Sequence, residues 1–248
     1  DELVAKDPKS AEILRPILRG CDIKRYGYDW AGLYAIATFP ALHIDIDDFP
    51  AVKEYLINFG KDRLEQSGKR LSNGTIARKK TGNKWFETQD QISYYKEFEK
   101  EKIVWPDIMR EPRGNSEKNR EFPYLCLDRS GTYQEATNFI MTGSNLSLII
   151  AVLNSKAGVY FFVNWFAGPK FDNKGFRYKK MYLENFLVPV VTPENKNIVD
   201  RVIADVDQIL TIKKTNSKAD TSVEEKEIDQ LVYQLYGLTE EEIKIVEG

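Results

Sequence analysis

The chain has 248 residues, a formal net charge of −2, 42% hydrophobic and 30% charged residues, the balance of a folded globular protein and not of a disordered one. Its longest apolar stretch, residues 146–163, is broken by Asn154, Ser155, Lys156 and Gly158, which excludes a membrane span, and nothing at the N-terminus has the pattern of a signal peptide. The start at Asp-Glu-Leu without Met suggests a fragment of a longer cytoplasmic protein, and the two cysteines, Cys21 and Cys126, are expected to be free, buried thiols.

Residues 49–66 carry Val52, Tyr55, Leu56 and Phe59 at helical spacing behind Pro50, so an amphipathic helix is expected there. Residues 67–83, with three glycines and the run Arg78-Lys79-Lys80, read as a loop or loose hairpin. Short apolar runs at 103–105, 124–127 and 139–141, bounded by Pro, Gly and charges, read as strands, with polar residues 111–121 as an exposed loop. Ser144 is the expected cap of a helix continuing to about Phe162. Residues 167–175 are loop, and residues 176–186 are expected to be partly helical.

Beyond residue 191 the character changes. Thr192-Pro193-Glu194 has the form of a helix start, followed by an apolar stripe of Ile198, Val199, Val202, Ile203, Val206, Ile209 and Leu210. Ser222 with Glu225 begins a second helix striped by Ile228, Leu231, Val232 and Leu235, and Thr239 with Glu242 begins a third. This tail holds 13 acidic against 7 basic residues, a poor surface for a polyanion and a natural packing or spacing element. Charge is distributed unevenly: residues 61–193 hold 22 Lys/Arg against 15 Asp/Glu, so a basic middle lies between acidic ends.

Catalytic patterns are missing. The single histidine, His43, beside Leu42 and Ile44, reads as a structural residue, and no Gly-rich nucleotide cradle is present. Asp107 with Asp172 and Lys174 is the nearest match to a metal-nuclease pattern, but so short a pattern arises by chance; Asp45, Asp47 and Asp48 lack the Gly and distal Glu of a calcium loop.

Four segments are distinctive together: residues 14–36 (LRPILRGCDIKRYGYDWAGLYAI), 103–113 (IVWPDIMREPR), 153–156 (LNSK) and 176–189 (FRYKKMYLENFLVP). In this order they resemble the TaqI-like specificity domain, the DNA target-recognition module C-terminal to N6-adenine methyltransferase domains in single-chain restriction–modification enzymes. The resemblance implies a chain without catalysis or cofactor of its own. S-adenosylmethionine, and Mg for cleavage, would belong to the methyltransferase and nuclease domains of the parent polypeptide. It also implies a DNA-proximal role for Arg177, Lys179 and Lys180. The Asn-Pro-Pro-Tyr motif that holds a flipped adenine in such methyltransferases is absent here.

Candidate DNA contacts fall in three loops: Arg78, Lys79, Lys80 and Asn83; Arg110, Arg113, Asn115, Lys118, Asn119 and Arg120; Lys170, Asn173, Lys174, Arg177, Tyr178, Lys179 and Lys180. Each mixes forked donors suited to base edges with lysines suited to phosphate. Arg15, Arg19, Lys24 and Arg25 could also reach phosphates, or form a structural ion-paired turn. The expectation is a mixed α/β recognition domain (residues 1–191) followed by a helical element (192–248), binding double-stranded DNA. The rival is a protein–protein interaction module using Trp85, Trp105, Trp165, Tyr94, Tyr95 and the helical tail.

Overall fold

A computed structural model describes residues 2–110, 122–170 and 175–248. The fold is mixed α/β, with short antiparallel sheets and a predominance of helix. Its contacts divide the chain into two compact units, residues 1–17 with 32–99 and residues 18–31 with 100–248.

In the first unit, helix α1 (Glu2–Lys6) precedes β1 (Leu14–Leu18), which pairs antiparallel with β2 (Tyr34–Ile36) in the register Leu14↔Ile36, Arg15↔Ala35, Pro16↔Tyr34. Helix α2 (Pro50–Leu64) starts on its proline, as expected from sequence, but only part of its stripe is used. Val52 and Leu56 pack on a small core of Ile13, Ile46, Phe49 and Phe86, whereas Tyr55 and Phe59 stay about half exposed. That core is too small to cover four turns, and Gly60, at φ 127°, interrupts the helix. Residues 67–83 form the loose hairpin, closed by a bridge between Arg70 and Ile76.

In the second unit β3 (Lys102–Pro106), buried along its whole length, is the centre of a three-stranded sheet. A second short strand, β4 (Ile108–Arg110), follows directly. β5 (Cys126–Asp128) flanks β3 on one side. After the two-residue β6 (Tyr133–Gln134), β7 (Asn138–Met141) flanks it on the other, paired Ile103↔Met141 through Pro106↔Asn138.

Against this sheet lies α3 (Leu146–Asn154), its residues Leu148, Ile150, Ala151 and Val152 at most 1% exposed. The single helix expected from Ser144 to Phe162 is in fact two. Asn145, not Ser144, precedes α3; the chain becomes extended at Ser155, and α4 (Lys156–Phe161) departs at 68° before a π-helical turn, Phe162–Phe166. The cause is local competition for backbone groups. Ser155 Oγ donates to Val152 O (2.7 Å) and accepts from Gly158 N (3.0 Å), ending one helix and capping the next. Gly158 is required by the close approach, since a Cβ there would sit 1.9 Å from Val152 O.

Strand β8 (Gly175–Arg177) pairs with β4, and α5 (Lys180–Leu183) supplies the helical part expected for residues 176–186. Helix α6 (Lys196–Thr215) begins three residues later than the Thr192-Pro193-Glu194 signal; Asn195 organises that turn, accepting from Thr192 N (2.8 Å) and donating to Val190 O (2.8 Å). Helix α7 (Ser222–Tyr236) is preceded by Thr221, which displaces Ser222 from the cap position, and α8 (Glu240–Glu247) has the expected Thr239/Glu242 capping box.

The expected stripes of α6 and α7 are buried, but not in a separate tail. Val199, Val202, Val206, Ile209, Ile228, Leu231 and Val232 belong to one apolar cluster with Ile103, Trp105, Leu148 and Val152. Residues 192–248 fall in the same compact unit as residues 18–31 and 100–191, with α6 and α7 packed on each other and on α3. Among the described residues no single helix is long and apolar enough to cross a membrane.

Candidate nucleic-acid interface

The β4–β8 ribbon brings together Arg110 of the second candidate loop and Arg177 of the third. Its register is Ile108↔Arg177, Met109↔Phe176, Arg110↔Gly175, so alternation sends Met109 and Phe176 to one face and Ile108, Arg110 and Arg177 to the other. Met109 and Phe176 are 0% and 1% exposed, while Arg110 is exposed. Arg113, Asn115, Lys118, Asn119, Arg120, Asn173 and Lys174 fall in segments 111–121 and 171–174, outside the described residues.

The ribbon is anchored by its backbone. Trp105 Nε1 donates to Tyr178 O (2.6 Å), Tyr178 N to Asp107 O (2.8 Å), and Arg110 N to the Tyr124 hydroxyl (2.9 Å). Phe176 and Tyr178 turn inward, the Tyr178 ring stacked at 3.9 Å on Phe162. Tyr178, expected at the DNA surface, is thus a core ring; the aromatic–cation alternation of FRYKK is the alternation of a strand with one buried face. Its cations stay outside. Arg177 Nη1 lies 3.1 Å from Asp107 Oδ2, Lys180 pairs with Glu184 at 3.2 Å, and Lys170 Nζ is 5.0 Å from the Phe176 ring centre. Lys180 remains 76% exposed, so its i,i+4 pair leaves it free to exchange partners.

The first loop belongs to the other unit and is depleted of forked donors. The Arg78 guanidinium donates to Leu64 O (2.7 Å), Glu87 O (2.9 Å) and Trp85 O, and its burial lowers its pKa from the ordinary arginine value. Asn83 Nδ2 donates to Thr88 O and Gln89 O, both at 2.9 Å. Both side chains thus donate to backbone carbonyls of the segments that flank the hairpin, on either side of residues 67–83. Lys79 and Lys80 remain exposed.

The N-terminal cations form the ion-paired turn. Asp22 accepts from Arg19 Nη2 (2.8 Å) and Nε (3.2 Å); burial would raise its pKa, but these bonds hold the carboxyl below the usual range. Lys24 donates to Cys21 O (3.1 Å), Arg15 to Ala11 O (3.3 Å), and Arg25 is paired with Glu225, both side chains largely buried. Cys21 is exposed, contrary to expectation, because this turn is held by polar contacts; Cys126 is buried in β5.

His43 is exposed, at φ 50° after a short 3₁₀ turn, and Asp45, Asp47 and Asp48 are rim residues, the last two paired with Lys53 and Lys9. Among the described residues no three His, Cys, Asp or Glu side chains are grouped to hold a metal ion. Of the aromatics expected on an interaction surface, Trp165 and Tyr94 are exposed, but Trp105 is buried at 3%.

Two roles escaped the sequence reading. Asp107, weighed only as a nuclease carboxylate, contacts Arg177. The LNSK segment is a junction: Asn154 Nδ2 donates to Leu125 O (3.2 Å), Ser155 caps α4, Lys156 N donates to Asp229 (2.8 Å), and Lys156 Nζ pairs with Glu247 (3.1 Å). A break between two buried helices could have been suspected from two polar residues inside an apolar run. Compared with known proteins, the chain matches no family model and no curated protein.

Proposed function

We propose that this chain is the DNA target-recognition domain of a single-chain restriction–modification enzyme, choosing the site at which an N6-adenine methyltransferase of the same polypeptide acts. The observation that carries this reading is the β4–β8 ribbon, whose solvent face holds Arg110 and Arg177 while Met109 and Phe176 commit the other face to the core. In the resembling family such a domain closes a cleft around DNA with the methyltransferase half. Lys170, close to the Phe176 ring, and Lys179 and Lys180, which follow β8 in sequence, would neutralise phosphates, and such contacts set register without reading bases.

The test is anisotropy with labelled random-sequence duplex DNA across a salt series, for this chain and for its parent polypeptide. Affinity should fall linearly on a log–log plot, with a slope of about −0.9 per phosphate neutralised. Replacing Arg177, Lys179 and Lys180 by Ala should weaken binding and flatten that slope. Absence of salt-dependent binding in both proteins refutes the reading and favours the interaction-module rival.

A further inference from the structure

We infer that the β4–β8 ribbon enters the major groove and that Arg177, braced by Asp107, reads a guanine there. The inference rests on the DNA-recognition reading above and names the element, the base and a positioning residue for it.

The major groove admits a two-stranded ribbon as readily as a helix. This ribbon has one face to offer, because Met109 and Phe176 commit the other to the core. On the offered face, Arg177 stands directly opposite Ile108 in the register and two pairs along from Arg110. Long side chains on a strand normally sample many rotamers, and that freedom must be lost on binding. Arg177 is partly relieved of it: Nη1 is 3.1 Å from Asp107 Oδ2, and the two side chains are 33% and 24% exposed, so the contact is sheltered from water but not sealed.

Asp107 is itself fixed. Its N–H donates to Thr137 O (2.9 Å), its carbonyl accepts from Tyr178 N (2.8 Å), and its second carboxylate oxygen, Oδ1, is buried with no hydrogen-bond partner among the described residues. A carboxylate kept half-buried with an oxygen unsatisfied is costly unless the other oxygen holds something whose position matters. What it holds is a planar fork, and a fork at a base edge matches guanine O6 and N7. The neighbouring lysines, as point charges, suit phosphate instead.

The experiment selects duplexes from a library with a randomised insert, using the full chain, or its parent polypeptide where the chain alone binds weakly. Wild type, Arg177→Lys, Asp107→Asn and the Lys179→Ala/Lys180→Ala double variant are compared. The expected wild-type motif contains a guanine whose preference falls about tenfold or more in Arg177→Lys, with other positions unchanged. Asp107→Asn should relax the same position to a smaller degree, and the lysine variant should lose affinity for all sequences while keeping the guanine. Circular dichroism checks the folding of Asp107→Asn, and Arg177→Lys carries the test if that variant is unstable. Salt-dependent binding with no motif, or with every guanine preference intact in Arg177→Lys, overturns this inference and leaves the DNA reading standing. Absence of salt-dependent binding in chain and parent alike overturns both.

Discussion

Replacing Lys102 by Met should be among the most damaging single changes in the second unit. Lys102 Nζ lies 2.5 Å from Asp128 Oδ2, and both side chains are 0% exposed. Asp128 also accepts from Thr132 N (3.0 Å), Thr132 Oγ1 (2.6 Å), Ser130 N (2.8 Å) and Ser130 Oγ (2.7 Å), so the carboxylate organises the turn after β5. Removing the lysine strands a buried charge, a loss of about 3–5 kcal/mol against a typical total of about 5–15 kcal/mol. For a domain of this size the melting temperature should fall by about 10 °C. The sign with pH follows from the carboxylate. Burial raises the Asp128 pKa, but Lys102 and the Thr132 and Ser130 bonds prevail and hold it below the ordinary value. Its wild-type contribution is therefore fully present above the unfolded carboxylate pKa of about 4 and lost as pH falls through the lower folded value. In Lys102→Met that main attraction is gone, so the penalty should be largest near neutrality and shrink on acidification. Thermal melts from pH 7 to pH 4 on Lys102→Met, Asp128→Asn and the double variant measure this, with the double variant more stable than the sum of the singles implies. A loss under about 1 kcal/mol at neutral pH in Lys102→Met, with no pH dependence, refutes the reasoning.

Gly158→Ala should destabilise by about 2–3 kcal/mol or more, since a Cβ 1.9 Å from Val152 O forces the α3–α4 junction apart; a denaturant midpoint measures it, and an unchanged midpoint contradicts the tight junction. Arg78→Met should loosen residues 67–87 by about 1–3 kcal/mol by leaving the carbonyls of Leu64, Trp85 and Glu87 without their donor, visible as faster limited proteolysis in that segment. Under native conditions Cys21 should react with a maleimide and Cys126 should not, because burial pushes the Cys126 thiol pKa up; mass spectrometry with and without denaturant counts the adducts, and two native adducts contradict the buried strand.

Local pattern alone determined a good deal. Pro50 announced the start of α2, Thr239 with Glu242 announced α8, the stripes of α6 and α7 announced their buried faces, and the apolar runs announced β3 and β7, because capping and periodicity depend on residues close in sequence. What depended on residues far apart was not legible. Tyr178 meets Phe162, Asp229 meets the Lys156 backbone and Arg25 meets Glu225 only after folding, so a tyrosine among lysines passed for a surface residue and a buried apolar run for one straight helix. The same limit governed the candidate site. Composition marks Arg78, Asn83, Arg110 and Arg177 alike as forked donors, yet the first two are bonded to backbone carbonyls flanking the hairpin and the last two stand on the outer face of a ribbon. Sequence sets which groups a side chain carries; only the tertiary structure decided whether those groups complete the backbone or face the solvent, because every buried carbonyl must be satisfied first by whichever donor the fold brings to it.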